Sequence, residues 1–241
     1  MFKRMLIAAV LVPVLGSSAS AQQPPGFTLY LIGFMTRATG QLPAGSTLQQ
    51  LEKSHLANLD AMWKEGLLLA SGPIADKGDL RGVLIFSGDQ RETVEKRVAD
   101  DPLVKAAFLQ VALGPWVGPS GIGDEYKKWV VANPGVPDKM RTYQIVLLKN
   151  VWSEPPSTWE EREAQLRQMD AMGKAGKLSV AGPVLEGSDL AWVYVFSVAA
   201  EEADNILASV PAIKAGKLIA ERHPWMVAEG VLPPGFKVPL R

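Results

Sequence analysis

The chain has 241 residues, 25 basic and 25 acidic side chains, two histidines and no cysteine. A formal charge of zero provides no basic footprint for nucleic acid. The lack of cysteine excludes disulfides, thiolate zinc sites, iron–sulfur centres and cysteine nucleophiles, and two histidines are too few for a multi-histidine metal site.

The first residues read as a leader for export. Lys3 and Arg4 give a positive start, and Met5 to Leu15 is an apolar run too short to span a bilayer as a helix. Ala19-Ser20-Ala21 closes the segment with an A-x-A cleavage pattern. Residues 1–21 are expected to be a signal peptide, which puts the mature protein, starting at Gln22, in the periplasm or outside the cell. No other apolar stretch is long enough for a membrane span.

The rest of the chain repeats itself. Residues 55–73, HLANLDAMWKEGLLLASGP, align with residues 165–183, QLRQMDAMGKAGKLSVAGP, with nine of nineteen positions identical. Residues 102–116 resume the match against residues 211–225, six of fifteen, both ending in Pro-Trp. Two units of this size are too few for a solenoid and point instead to a pair of similar domains packed together. The expected organisation is repeat one over 27–117, a Gly- and Pro-rich linker over 118–140, and repeat two over 141–230.

In chain order, Phe27 to Met35 reads as a strand. Ser46 or Thr47 caps a helix whose apolar face is Leu48, Leu51, His55, Leu59 and Met62, and Gly66 ends it in a left-handed conformation. Leu67 to Ser71 is a short strand closed by Gly72-Pro73. A polar turn at Asp76 to Asp79 leads to a strand over Gly82 to Ser87. Asp89 to Ala99 is a helix, and Phe108 to Leu113 a strand ended by Pro115-Trp116. The linker holds a short helix, Glu125 to Ala132. Repeat two follows suit: strand Thr142 to Leu148, helix Thr158 to Ala175, strands Leu178 to Ala181 and Trp192 to Ser197, helix Ala199 to Ser209, and strand Lys217 to Arg222. The tail from Leu232 to Arg241 carries three prolines and reads as an extended coat. The order β-α-β-β-α-β is the split βαβ arrangement. Such a sheet has helices on one face only, so two sheets are expected to cover one another in an α+β barrel.

The His-x-x-x-Leu-Asp stretch, Gly-Leu-Leu-Leu-Ala-Ser-Gly-Pro-Ile, Gly-Val-Leu-Ile-Phe, Ala-Asp-Asp-Pro-Leu-Val and the strand ending in Pro-Trp, in that order, resemble the YCII-related family. The resemblance covers about 28–117 and 141–226. It implies two ferredoxin-like repeats packed as a pseudo-dimeric α+β barrel, in a monomer or a homodimer. It also implies a catalytic role for His55 and Asp101, which fall on the family's histidine and aspartate. A carboxylate holding one imidazole nitrogen fixes the tautomer and raises basicity at the other, the requirement for a general base or acid. Proton transfer beside a carbonyl or hydroxyl, as in a lyase or isomerase acting on a small organic molecule, suits these residues; binding without turnover is the alternative. His55 also has a structural reading as a satisfied core residue, and Asp101 before Pro102 reads as a helix cap.

Repeat two carries Gln165 in place of His55 and Val210 in place of Asp101, so at most one proton-transfer site is expected. Arg81, replaced by Ala191 in repeat two, is a candidate for holding a substrate carboxylate. His223 stands where repeat one has Gly114; it is a candidate ligand or haem-binding group, since some barrels of this broad type carry haem. No cofactor or metal is expected. Residues 118–123, GPSGIG, lack the Lys-Ser/Thr ending of a phosphate loop.

Overall fold

The computed structural model describes residues 26–151, 158–185, 189–233 and 235–236. The leader expected over residues 1–21, and the tail beyond residue 236, lie outside them.

Repeat one runs β1 (Phe27–Arg37), α1 (Leu48–Lys64), β2 (Leu68–Pro73), β3 (Leu80–Ser87), α2 (Arg91–Ala99), α3 (Pro102–Lys105) and β4 (Leu109–Pro119). After α4 (Asp124–Ala132), repeat two runs β5 (Met140–Asn150), α5 (Trp159–Lys174), β6 (Leu178–Pro183), β7 (Leu190–Phe196), α6 (Ala200–Leu207), α7 (Pro211–Lys214) and β8 (Leu218–Ala228). The two sheets are antiparallel, ordered β2-β3-β1-β4 and β6-β7-β5-β8. This is the expected pair of ferredoxin-like repeats.

Local chemistry explains the helix ends. Thr47 caps α1 and Thr158 caps α5, each in a reciprocal capping box with the residue three positions on, Gln50 and Glu161. Gly66 and Gly176 follow their C-caps with φ of 77° and 69°, the left-handed region in which a side chain is strained. Ala107 holds the same conformation after α3, at φ 54°, where its counterpart after α7 is Gly216.

Strands β4 and β8 run on through Pro115-Trp116 and Pro224-Trp225 rather than stopping there. Both are edge strands of their own sheets, where a missing N–H removes no ladder bond. Extension past the proline carries them onto the other sheet: Trp116 bridges to Val184, and Trp225 to Ile74. Leu185 N donates to Pro115 O and Ala75 N to Pro224 O, both at 2.9 Å.

The sheets therefore close on each other within one chain. Tyr30, Ile32, Val83 and Ile85 of repeat one meet Ile145, Val180, Val193 and Val195 of repeat two in the barrel interior. Trp116 and Trp225 are wholly buried there, and their indole N–H groups donate to Gly182 O and Gly72 O at 3.0 and 3.2 Å. Such rings supply much of an interface's apolar burial, provided their polar atom finds a partner. On the outer faces, Leu31, Met62, Leu84, Phe86 and Val94 fill the helix–sheet layer of repeat one. In repeat two the corresponding layer also takes Phe236 of the tail. Among the described residues no helix is long and apolar enough to cross a membrane.

Candidate functional site

Helix α1 presents His55 toward the short α3, whose first residues are set by Asp101 and Pro102. His55 Nδ1 lies 2.9 Å from Asp101 Oδ2. Asn58, one turn further along α1, donates to the same oxygen at 2.9 Å. The other oxygen, Oδ1, accepts from Leu103 N at 3.0 Å, so Asp101 caps α3 as well. One carboxylate thus holds the imidazole nitrogen and caps the helix. The ring is 13% exposed and the carboxylate 5%.

Burial by itself pushes the Asp101 carboxyl up, but hydrogen bonds from His55, Asn58 and the Leu103 backbone outweigh it and hold it below the usual carboxylate range. An ionised carboxylate has no proton to give, so Nδ1 carries it and Nε2 is the free imidazole nitrogen. Asn58 is further tied to Arg97 at 3.4 Å, and Arg97 to Glu65 at 2.6 Å. Sequence reasoning missed Asn58; its position three residues after His55 on one helical face was the available signal.

The space beside His55 is an apolar crevice of about 10 Å³, walled by Met35, Leu59, Leu84 and Val104 among others. That is near the volume of a single water. In repeat two the Leu84 position is Tyr194, whose fully buried ring fills the corresponding layer, and Gln165 Nε2 donates to its hydroxyl at 2.6 Å. Burial pushes the Tyr194 phenol up, keeping it neutral. Val210 is buried where repeat one has Asp101.

Arg81 is not brought to His55. It lies on β3 with its guanidinium donating to Gly78 O at 3.2 Å, beside Asp76. His223 on β8 reaches across from repeat two, its Nδ1 2.7 Å from Asp76 Oδ2. Hydrogen bonds from His223 and Gly78 N, with Arg81 nearby, hold the Asp76 carboxyl low. His223 borders a cavity of about 750 Å³ at one mouth of the barrel, far larger than the crevice at His55. Among the described residues no three metal-ligating side chains are placed to share an ion.

Residues 29–117 match the family model of the YCII-related domain, so repeat one is a YCII-related domain. No curated protein matches the chain. Among solved structures, a chlorite dismutase from Candidatus Nitrospira defluvii in complex with imidazole aligns with a TM-score of 0.52 and 11% identity, over 84% of this chain and 92% of that one. A mutant of that enzyme aligns with a TM-score of 0.53, also at 11% identity, over 87% and 94%. At such identity the likeness is one of fold, and function has to be argued from the site.

Proposed function

We propose that this is an exported protein acting on a small organic molecule by proton transfer, with His55 as the acid or base and Asp101 as the group that orients it. The observation that carries this reading is the contrast between the repeats. Repeat one has an imidazole held by an ionised carboxylate beside an apolar crevice; repeat two has an amide, a valine and a tyrosine that fills the layer. Nε2 of His55 is the proton-exchanging atom, and Asn58 shares the load on Asp101. At about 10 Å³ the crevice has to widen before a substrate reaches Nε2. Proton abstraction next to a carbonyl, followed by return of the proton elsewhere or departure of a leaving group, is the lyase or isomerase chemistry that such a pair performs without a cofactor.

A second reading, binding without turnover, is favoured by the small volume beside His55. Turnover of a panel of hydroxylated aromatics and lactones separates the two. The enzyme reading expects a substrate whose turnover falls at least about a hundredfold in His55→Ala. Equal turnover in both proteins refutes it, and saturable binding with no turnover in either favours the second reading. Export is tested by N-terminal sequencing of the protein recovered from the producing cells, with Gln22 as the expected first residue.

A further inference from the structure

We propose that the mouth of the barrel is a second ligand site, independent of His55, which takes a neutral, mainly apolar molecule of one or two rings and seats its hydroxyl on Nε2 of His223.

The cavity straddles the internal twofold axis. Strand register makes Gly114 of β4 the counterpart of His223 on β8, since they pair with Ile32 and Ile145, the matching residues of β1 and β5. By the same register Ala112 answers Glu221, and Thr36 answers Lys149. All six line the cavity. At these three matched positions repeat one contributes the small residues and repeat two the large polar ones. A Cβ built on Gly114 would meet only Val184, at 3.5 Å, so the room there is real. The duplicated frame is therefore asymmetric at this mouth, with an imidazole on one side and no side chain on the other.

The polar groups define the ligand. Lys149 and Glu221 neutralise each other at 2.8 Å. Asp76 holds Nδ1 of His223, so that nitrogen carries the proton and Nε2 is left as an acceptor, with no hydrogen bond to any described residue. An acceptor calls for an O–H or N–H donor on the ligand. The remaining cation of the lining, Arg91, is engaged by Glu95 at 2.8 Å, and the carboxylates of Asp79 and Asp189, matched across the axis on the rim, disfavour an anion. Phe34, Leu80, Leu147 and Leu190 supply apolar walls for the body of the molecule. A volume of about 750 Å³ falls within the ordinary range of small-molecule sites, roughly 300–1,000 Å³.

The test uses 2-naphthol as probe, with naphthalene as the partner that lacks the hydroxyl. The chain has only two histidines, so its imidazole NMR signals can be told apart with His223→Phe. Saturable binding of 2-naphthol, read by its fluorescence, is expected to shift the His223 signals and leave those of His55 in place. His223→Phe is expected to weaken 2-naphthol about tenfold and leave naphthalene unchanged. Gly114→Leu, which narrows the cavity from the side of repeat one and keeps both residues of the His223–Asp76 pair, is expected to weaken both. Absence of saturable binding, a shift confined to His55, or affinities unmoved by both substitutions would each overturn the proposal. A shift at His223 alone with no turnover at His55 supports this site while counting against the reading of repeat one.

Discussion

Gly182→Ala tests how tightly the two sheets are joined. A Cβ at Gly182 would fall directly on the carbonyl oxygen of Val117, 2.8 Å from its carbon and 3.0 Å from Trp116 Nε1. Comfortable carbon contacts lie at about 3.5–4.0 Å and the carbonyl oxygen would stand at less than half that distance, so β4 has to retreat by roughly 1.5–2 Å where it crosses onto β6. The movement breaks or stretches the Trp116–Gly182 hydrogen bond and loosens a wholly buried indole. Overpacking of this kind costs about 1–3 kcal/mol and the hydrogen bond about 1 kcal/mol, for a total loss of roughly 2–4 kcal/mol. Against the 5–15 kcal/mol that is usual for a domain, this is a large fraction. Urea unfolding followed by tryptophan fluorescence measures it, with Gly114→Ala as control, because the Cβ there meets only ordinary contact. If Gly182→Ala is as stable as Gly114→Ala, the reasoning about the sheet junction is refuted.

Asp101→Asn is expected to flatten the acid limb of the stability profile. The folded carboxyl is held below its ordinary value, so its contribution is fully present above about pH 4 and is lost as pH falls through the depressed value; urea midpoints from pH 7 to pH 2 should show the wild type losing more than the variant. Ala107→Gly relieves a left-handed alanine and should raise stability by about 1 kcal/mol in the same assay, and a loss would show that the methyl packs usefully. Tyr194→Phe removes the acceptor of the buried Gln165 amide and should cost about 1–2 kcal/mol, whereas an unchanged urea midpoint would mean that the amide finds another partner.

Much of the architecture was legible because the chain states it twice. The alternation of apolar residues, the capping threonines and the glycines after α1 and α5 named the elements of each repeat. Comparison of the repeats exposed His55 and Asp101 as residues that the fold itself does not demand. Strand ends were less legible. Proline is read locally as a stop, yet whether it stops a strand depends on which edge it faces, and that is fixed only when the two sheets meet. The Gly-Pro motif was visible as a strand terminus, but its reason was not: Gly72 and Gly182 are bare because the other repeat's backbone passes against them. Asn58 and Tyr194 also escaped, since each acquires its role from a partner distant in sequence. The pairing of His223 with Asp76, 147 residues apart, is of the same kind.

Gly114 opposite His223 in the cavity lining has a consequence for how a guest is oriented. A barrel made from two identical chains offers every axial guest two equivalent poses, related by a half-turn, and so cannot tell one side of the guest from the other. With an imidazole on one side and bare backbone on the other, that degeneracy is gone. One guest binds per barrel, in one orientation, giving up only about 0.4 kcal/mol of orientational freedom. It then presents one fixed side to repeat one and the other to repeat two, so two otherwise equivalent groups on the guest become distinguishable.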